Sequence, residues 1–122
     1  MVFQKILREM LQSTPGAIGA VFLDREGEAV DLFAEDVFEI GDDGLRTLGA
    51  YAGIFLSKVR RACETADAGE PLMLTLDFAK VKVFSCSLKD GYYLVLIVAN
   101  TASEGVTVQR LIRCRNQLIA EI

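Results

Sequence analysis

The chain of 122 residues contains no histidine, only two prolines and only three cysteines. Without histidine, a single chain cannot build a cysteine–histidine zinc site or use an imidazole as acid or base. Cys63, Cys86 and Cys114 are widely spaced and form no Cys-x-x-Cys pair. We therefore expect three free, buried or half-buried thiols in a reducing compartment, and no metal. Ser85 and Ser87 have no base to activate them, so we expect no enzyme.

Other absences argue against nucleic-acid-binding, membrane-spanning, secreted and phosphate-binding proteins. Seventeen acidic residues outnumber thirteen basic ones, whereas nucleic-acid binding needs a basic face. No run approaches the roughly 18 apolar residues of a membrane span, and the N-terminal segment lacks the apolar core of a signal peptide. The glycine-containing stretch at 16–19 lacks the Gly-Lys-Ser/Thr of a phosphate loop. These features predict a cytoplasmic protein without cofactor, nucleic-acid partner or membrane insertion.

The length and composition of the chain predict a single domain over residues 1–122. A chain of 122 residues has the length of one domain, and 52% apolar with 25% charged residues is typical of a globular protein. Apolar periodicity predicts helices at 2–12, at about 44–64 and from about 104 to Ile122. Asp42 and Asp43 are candidate N-caps of the middle helix. Strands are predicted at 17–23, 28–34, 72–76, 81–88 and 92–99. The first and last are apolar on both faces.

Two turns connect neighbouring strands. Residues 24–27, ending in Gly27, and the pair Asp90-Gly91 are typical of reverse turns that tolerate positive φ. Strands joined by such short links are antiparallel. The predicted fold is therefore α+β, a five-stranded antiparallel sheet flanked by three helices on two faces, in the order α-β-β-α-β-β-β-α.

The middle helix carries more apolar surface than one sheet can cover. Its apolar arc spans about 200°, where packing on a single surface needs about 100°. Tyr51 and Ile54 extend the arc, and Gly49 and Gly53 on its other flank would let a second backbone approach. We therefore predict a homodimer. The alternative is that residues 35–43 cover Tyr51 and Ile54.

Charge and strand order support the same prediction. Asp42 and Asp43 begin this helix and Lys58, Arg60 and Arg61 lie near its end, so antiparallel pairing about a two-fold brings opposite charges together. If residues 28–34 form an edge strand, a second copy could pair with it. Glu28 and Asp31 could equally be guards that keep this edge unpaired.

The order of the elements resembles that of the roadblock / dynein light-chain family, and within it most resembles the stand-alone bacterial, MglB-like members. The local pattern that carries the resemblance consists of Leu11, residues 15–21, Asp24 and Gly27. The resemblance implies a roadblock or profilin-like fold, a homodimer and a regulatory or GTPase-activating role on a small Ras-like GTPase without a donated catalytic residue. Read by position, the implied dimer interface comprises Val30, Leu32, Leu48, Tyr51, Ala52, Ile54, Phe55 and Val59. The alternatives are a scaffold subunit of a motor or signalling complex and a profilin-like or PAS-like small-molecule sensor.

Two features are candidates for partner docking. Nine acids fall between Asp24 and Asp43, which is either a solvated face or a patch for a basic partner. The patch candidates are Glu35, Asp36, Glu39, Asp42 and Asp43. Arg115 interrupts the apolar stripe of the last helix. It either pairs with Glu9 or another carboxylate of the first helix, or contacts a partner.

Overall fold

The predicted order of elements is confirmed in a computed structural model, which describes residues 2–34 and 41–122. The elements are α1 (Val2–Ser13), β1 (Ala17–Leu23), β2 (Ala29–Ala34), α2 (Gly41–Ala66), β3 (Leu74–Asp77), β4 (Val81–Ser87), β5 (Tyr93–Ala99) and α3 (Glu104–Glu121). Their ends differ from the predicted ones by no more than three residues, because helix and strand ends depend on local capping and pairing.

The five strands form one sheet in the order β2-β1-β5-β4-β3, and every neighbouring pair is antiparallel. The predicted fold class is therefore confirmed. β1 is buried along its whole length and β5 along all but its last residue, as their continuous apolar sequences predict. β2 and β3 are the two edges, so the condition that residues 28–34 form an edge strand is met.

Helices cover both faces of the sheet, and alternate strand residues divide between two cores. On one face α1 and α3 pack against residues such as Phe22 and Leu94. On the other face α2 packs against their neighbours, such as Val21 and Val95. This division follows from the two-residue period of strands. It places α2 across the sheet from α1 and α3.

Both predicted turns are present. An Asp24 carboxylate oxygen accepts hydrogen bonds from the amides of Glu26 and Glu28, each at 3.0 Å, and Gly27 has a φ of +86°. Asp90 and Gly91 have φ of +59° and +81°, the pair of positive values that a type I′ turn requires.

The predicted N-caps of α2 are wrong. The helix begins at Gly41, before Asp42 and Asp43, so both acids lie within its first turn. Acidic residues near a helix start are favourable through the helix dipole as well as through capping, so the sequence pattern fits either position.

Candidate interaction surface

The inner face of α2 is fixed against the sheet by small and aliphatic residues. Leu45, Ala52 and Leu56 are each at most 2% exposed and pack against β1, β4 and β5. Gly49 and Gly53 also face the sheet, where a Cβ at Gly49 would lie 3.4 Å from Leu23. The expectation that these glycines admit a second backbone is therefore wrong, because they allow α2 to approach its own sheet closely.

The outer face of α2 presents large apolar side chains to solvent. Tyr51, Ile54 and Phe55 are 58%, 48% and 45% exposed. The predicted excess of apolar arc over what the sheet covers is thus confirmed. The alternative, in which residues 35–43 cover Tyr51 and Ile54, falls largely outside the described residues and stays a prediction.

The edge strand β2 adjoins this face. Val30 is 44% exposed, and Leu32 is half-buried with Leu48 in the core under α2. Within residues 2–34 and 41–122, β2 pairs with β1 alone, so no strand covers its other edge. The Leu32 amide donates to the Asp31 carboxylate at 3.0 Å, and the Leu32 carbonyl accepts from the Gln4 side-chain amide at 3.4 Å. We call the outer face of α2 (Leu48, Tyr51, Ile54, Phe55, Val59) together with this edge (Val30, Leu32) the α2–β2 surface.

Ala52 does not belong to the α2–β2 surface. Its side chain is fully buried against the sheet, so it packs inside the chain and cannot contact a partner. Leu48 and Val59 are half-buried and lie at the margin of the surface. A helical wheel places Ala52 in the same broad arc as Phe55, and only packing decides which part of that arc faces inward.

The charges of α2 are distributed partly as expected. Asp43 at the start and Lys58 and Arg61 near the end are exposed. Arg60 instead interacts with residues of its own chain. One of its terminal guanidinium nitrogens donates to the Ser87 hydroxyl at 2.7 Å, and its Nε lies 3.5 Å from a Glu70 carboxylate oxygen. The basic end available to a partner is therefore Lys58 and Arg61.

An open cleft of about 310 Å³ lies beside Ile54. Arg25 of the β1–β2 turn, Lys58 and Arg61 line it, and Tyr93 of β5 lies at its base. Burial, with a smaller contribution from the Asp24 charge, raises the pKa of the Tyr93 phenol. The sequence did not predict this cleft, because Arg25 and α2 are distant in the chain and no local pattern connects them.

The cleft does not favour a small-molecule sensor. It opens to solvent instead of enclosing a cavity, and the two cores beneath the helices are filled by side chains that are almost fully buried. In the described part of the chain, no group of three or more cysteine, aspartate or glutamate residues is placed to hold a metal ion. No helix found there has the length and apolarity needed to cross a membrane.

Arg115 is held by its own chain, although not by the predicted partner. Its Nε donates to the Ser87 carbonyl at the end of β4, at 2.9 Å, and not to Glu9 or another α1 carboxylate. The side chain therefore reaches a strand end that sequence spacing could not reveal. It lies on α3, across the sheet from Asp43 on α2, so these two docking candidates do not form one site.

The remaining docking candidates are only partly described. Glu35, Asp36 and Glu39 lie outside the described residues, and so does the side chain of Asp42. The three cysteines are free as predicted, with Cys86 and Cys114 buried and Cys63 half-buried.

Comparison with known proteins places these observations in a family. Residues 3–98 match the model of the Roadblock/LC7 domain. No curated protein sequence matches the chain. Among solved structures, a Roadblock/LC7 domain from Streptomyces avermitilis superposes with a TM-score of 0.85 at 17% identity, covering 97% of this chain and 95% of that one.

Two structures of MglB also superpose on nearly the whole of this chain. MglB of Myxococcus xanthus has a TM-score of 0.85 at 12% identity, covering 99% of this chain and 94% of that one. A structure described as MglB with tetrameric arrangement has a TM-score of 0.86 at 18% identity, covering 98% and 86%. At these identities the likeness concerns the fold.

Proposed function

The chain belongs to the Roadblock/LC7 domain family, and on that premise we propose that it is a non-catalytic homodimer that regulates a small Ras-like GTPase. The observation that carries the proposal is the α2–β2 surface, where Tyr51, Ile54 and Phe55 lie about half exposed beside an unpaired strand edge. A contiguous apolar patch of this kind on a small domain is typical of a protein–protein interface.

The proposed dimer follows from the shape and charge of that surface. Two copies of α2 pack antiparallel about a two-fold axis and cover Tyr51, Ile54 and Phe55 of each protomer. In that arrangement Asp43 of each helix approaches Lys58 and Arg61 of the other, which favours the antiparallel register. The open edges of the two β2 strands pair and join the sheets.

The relatives support self-association, and the partner is proposed from the resemblance alone. One MglB structure is described as a tetrameric arrangement, so a protein of this fold does associate with itself. Resemblance to MglB-like members implies the GTPase partner and the regulatory role, exerted by binding. We place this homodimer in the cytoplasm, since three free thiols fit a reducing compartment.

Sedimentation of the full chain tests the dimer. We expect the wild type to sediment as a dimer at micromolar concentration and the Ile54→Glu variant as a folded monomer, because the new carboxylate lies in the interface core. Leu72→Glu is the matched control, since Leu72 is 81% exposed and lies next to the opposite edge strand. A monomeric wild type, or equal loss of dimer in both variants, would overturn the proposed dimer.

Nucleotide hydrolysis tests the regulatory role. Candidate small Ras-like GTPases are assayed for GTP hydrolysis and for binding in the GDP and GTP states, with wild type and with Ile54→Glu. We expect binding and a changed hydrolysis rate with the dimer, and loss of both with the monomeric variant. A dimer that binds neither nucleotide state would instead favour a structural subunit of a larger complex.

A further inference from the structure

A second groove lies on the opposite side of the sheet, between α1 and α3. It consists of two neighbouring clefts of about 190 and 310 Å³ that share Glu9 and Gln117 as lining residues. Arg110 and Arg113 line the first cleft, and Val2 and Ala120 line the second. We call the two together the α1–α3 groove.

Arg110 has an unmet hydrogen-bonding requirement in this groove. Its Nε is buried and has no acceptor within residues 2–34 and 41–122. A buried donor without an acceptor destabilises the folded protein, and more so when the group is charged. Arg113 follows at i+3 on the same side of α3 and is exposed. Among the described residues, neither arginine forms an ion pair, although Glu9 lies across the cleft.

We propose that the α1–α3 groove binds an acidic segment of a partner protein, with a carboxylate in the arginine cleft and an apolar side chain against Val2 and Ala120. A guanidinium presents parallel donors that match the two oxygens of a carboxylate.

The charge of the cleft favours a carboxylate over a phosphate. Two arginines and Glu9 leave one net positive charge in the first cleft, which balances the single negative charge of a carboxylate. A phosphate group carries nearly two negative charges and would meet stronger repulsion from Glu9. The second cleft adds the apolar side chains of Val2, which is 46% exposed, and Ile6. The charged residues Lys5 and Glu121 also line it and balance each other, so the two clefts together keep one net positive charge.

This groove is independent of the proposed dimer. α1 and α3 lie across the sheet from α2, so pairing through the α2–β2 surface leaves the groove accessible. Arg110 and Arg113 also lie beyond residues 3–98, the part of the chain that matches the family model. The inference thus adds a second partner site to the proposed function.

The test uses the ¹⁵N-labelled full chain and a capped hexapeptide of two leucines followed by four glutamates. We expect a saturable shift of the Arg110 Nε–Hε signal in the NMR spectrum. Arg110→Gln and Arg113→Gln should each weaken binding about tenfold or more. Arg46→Gln is the matched control, because Arg46 is an exposed arginine of α2, on the other face, and binding should be unchanged.

A second variant, a control peptide and a phosphate competition distinguish specific carboxylate binding from loss of folding and from nonspecific binding. Arg113 is exposed, so its variant tests the site even if Arg110→Gln lowers the melting temperature. A hexapeptide of two leucines and four lysines should not bind. The proposal is overturned if the glutamate peptide produces no shift, if the lysine peptide binds equally, or if inorganic phosphate displaces the glutamate peptide at equal concentration.

Discussion

Gly53 of α2 lies directly against Tyr93 of β5, and a Cβ at position 53 would overlap the phenol ring and its hydroxyl. Tyr93 is 6% exposed and packed in the core under α2, so displacing its ring from position 53 would disturb that packing. A glycine inside a helix costs about 1 kcal/mol relative to alanine. This cost is offset because the missing side chain lets α2 pack closely on the sheet.

Gly53→Ala should therefore lower the free energy of unfolding by about 1–3 kcal/mol, despite its better helix propensity. Gly105→Ala is the control, because a Cβ there meets nothing within 4 Å and stability should not fall. Urea unfolding measures both. Combining Gly53→Ala with Tyr93→Leu should cost less than the sum of the single changes, and strict additivity would contradict the proposed clash.

The β1–β2 turn depends on the Asp24 carboxylate, which accepts two backbone hydrogen bonds. Asp24→Ala should lower stability by about 1–2 kcal/mol, since two amides lose their acceptor. Glu26→Ala, an exposed change in the same turn, should alter stability by less than about 0.5 kcal/mol. Chemical denaturation of both variants checks this, and equal effects would show that the carboxylate is not the cause.

Stability should decline at alkaline pH. Burial raises the pKa of the Cys86 and Cys114 thiols from 9.0 to about 12, with Arg115 partly opposing the shift at Cys86. The native state thus favours the neutral thiol, whereas the unfolded chain ionises from about pH 9 upward. Full stability is present below that pH and is lost as the pH rises towards about 12.

Unfolding free energies measured at about pH 7 and about pH 10.5 test this decline. Cys86→Ala and Cys114→Ala should each make the pH dependence shallower, even though the smaller side chain lowers stability at neutral pH. An equally steep decline in the variant that lacks both thiols would contradict the assignment to these cysteines.

The same burial pattern predicts thiol reactivity. In the folded protein at neutral pH, a water-soluble thiol reagent should modify Cys63 rapidly, because Cys63 is half-buried and the other two are buried. Cys63→Ser should remove the fast phase, and denaturant should release two slower thiols. Rapid modification of all three in native buffer would contradict the structure.

Arg115 should stabilise the end of β4 through its Nε bond to the Ser87 carbonyl. We expect Arg115→Leu to lower stability by about 1 kcal/mol, and Arg115→Lys to recover little of it, because a lysine lacks the Nε donor at that position. Thermal unfolding measures both. A more stable Arg115→Leu variant would mean that apolar packing outweighs the hydrogen bond.

Turn chemistry and periodicity predicted much of this fold because both are local. Asp90-Gly91 needs two positive φ values wherever it occurs, and the continuous apolar sequence of β5 requires cover on both faces. The excess apolar arc on α2 could be predicted for the same reason, since helical spacing alone fixes which residues share a face.

Only the tertiary structure determined which residues each helix or strand face contacts. Ala52 and Phe55 belong to one predicted stripe, yet the first is buried and the second is 45% exposed. Gly53 meets Tyr93, 40 positions away, and Arg115 meets a carbonyl 28 positions away. The sequence determined the elements, their order and their apolar faces, because these follow from the geometry of neighbouring residues. Packing determined which part of each face became core and which stayed exposed, because that depends on contacts between distant segments.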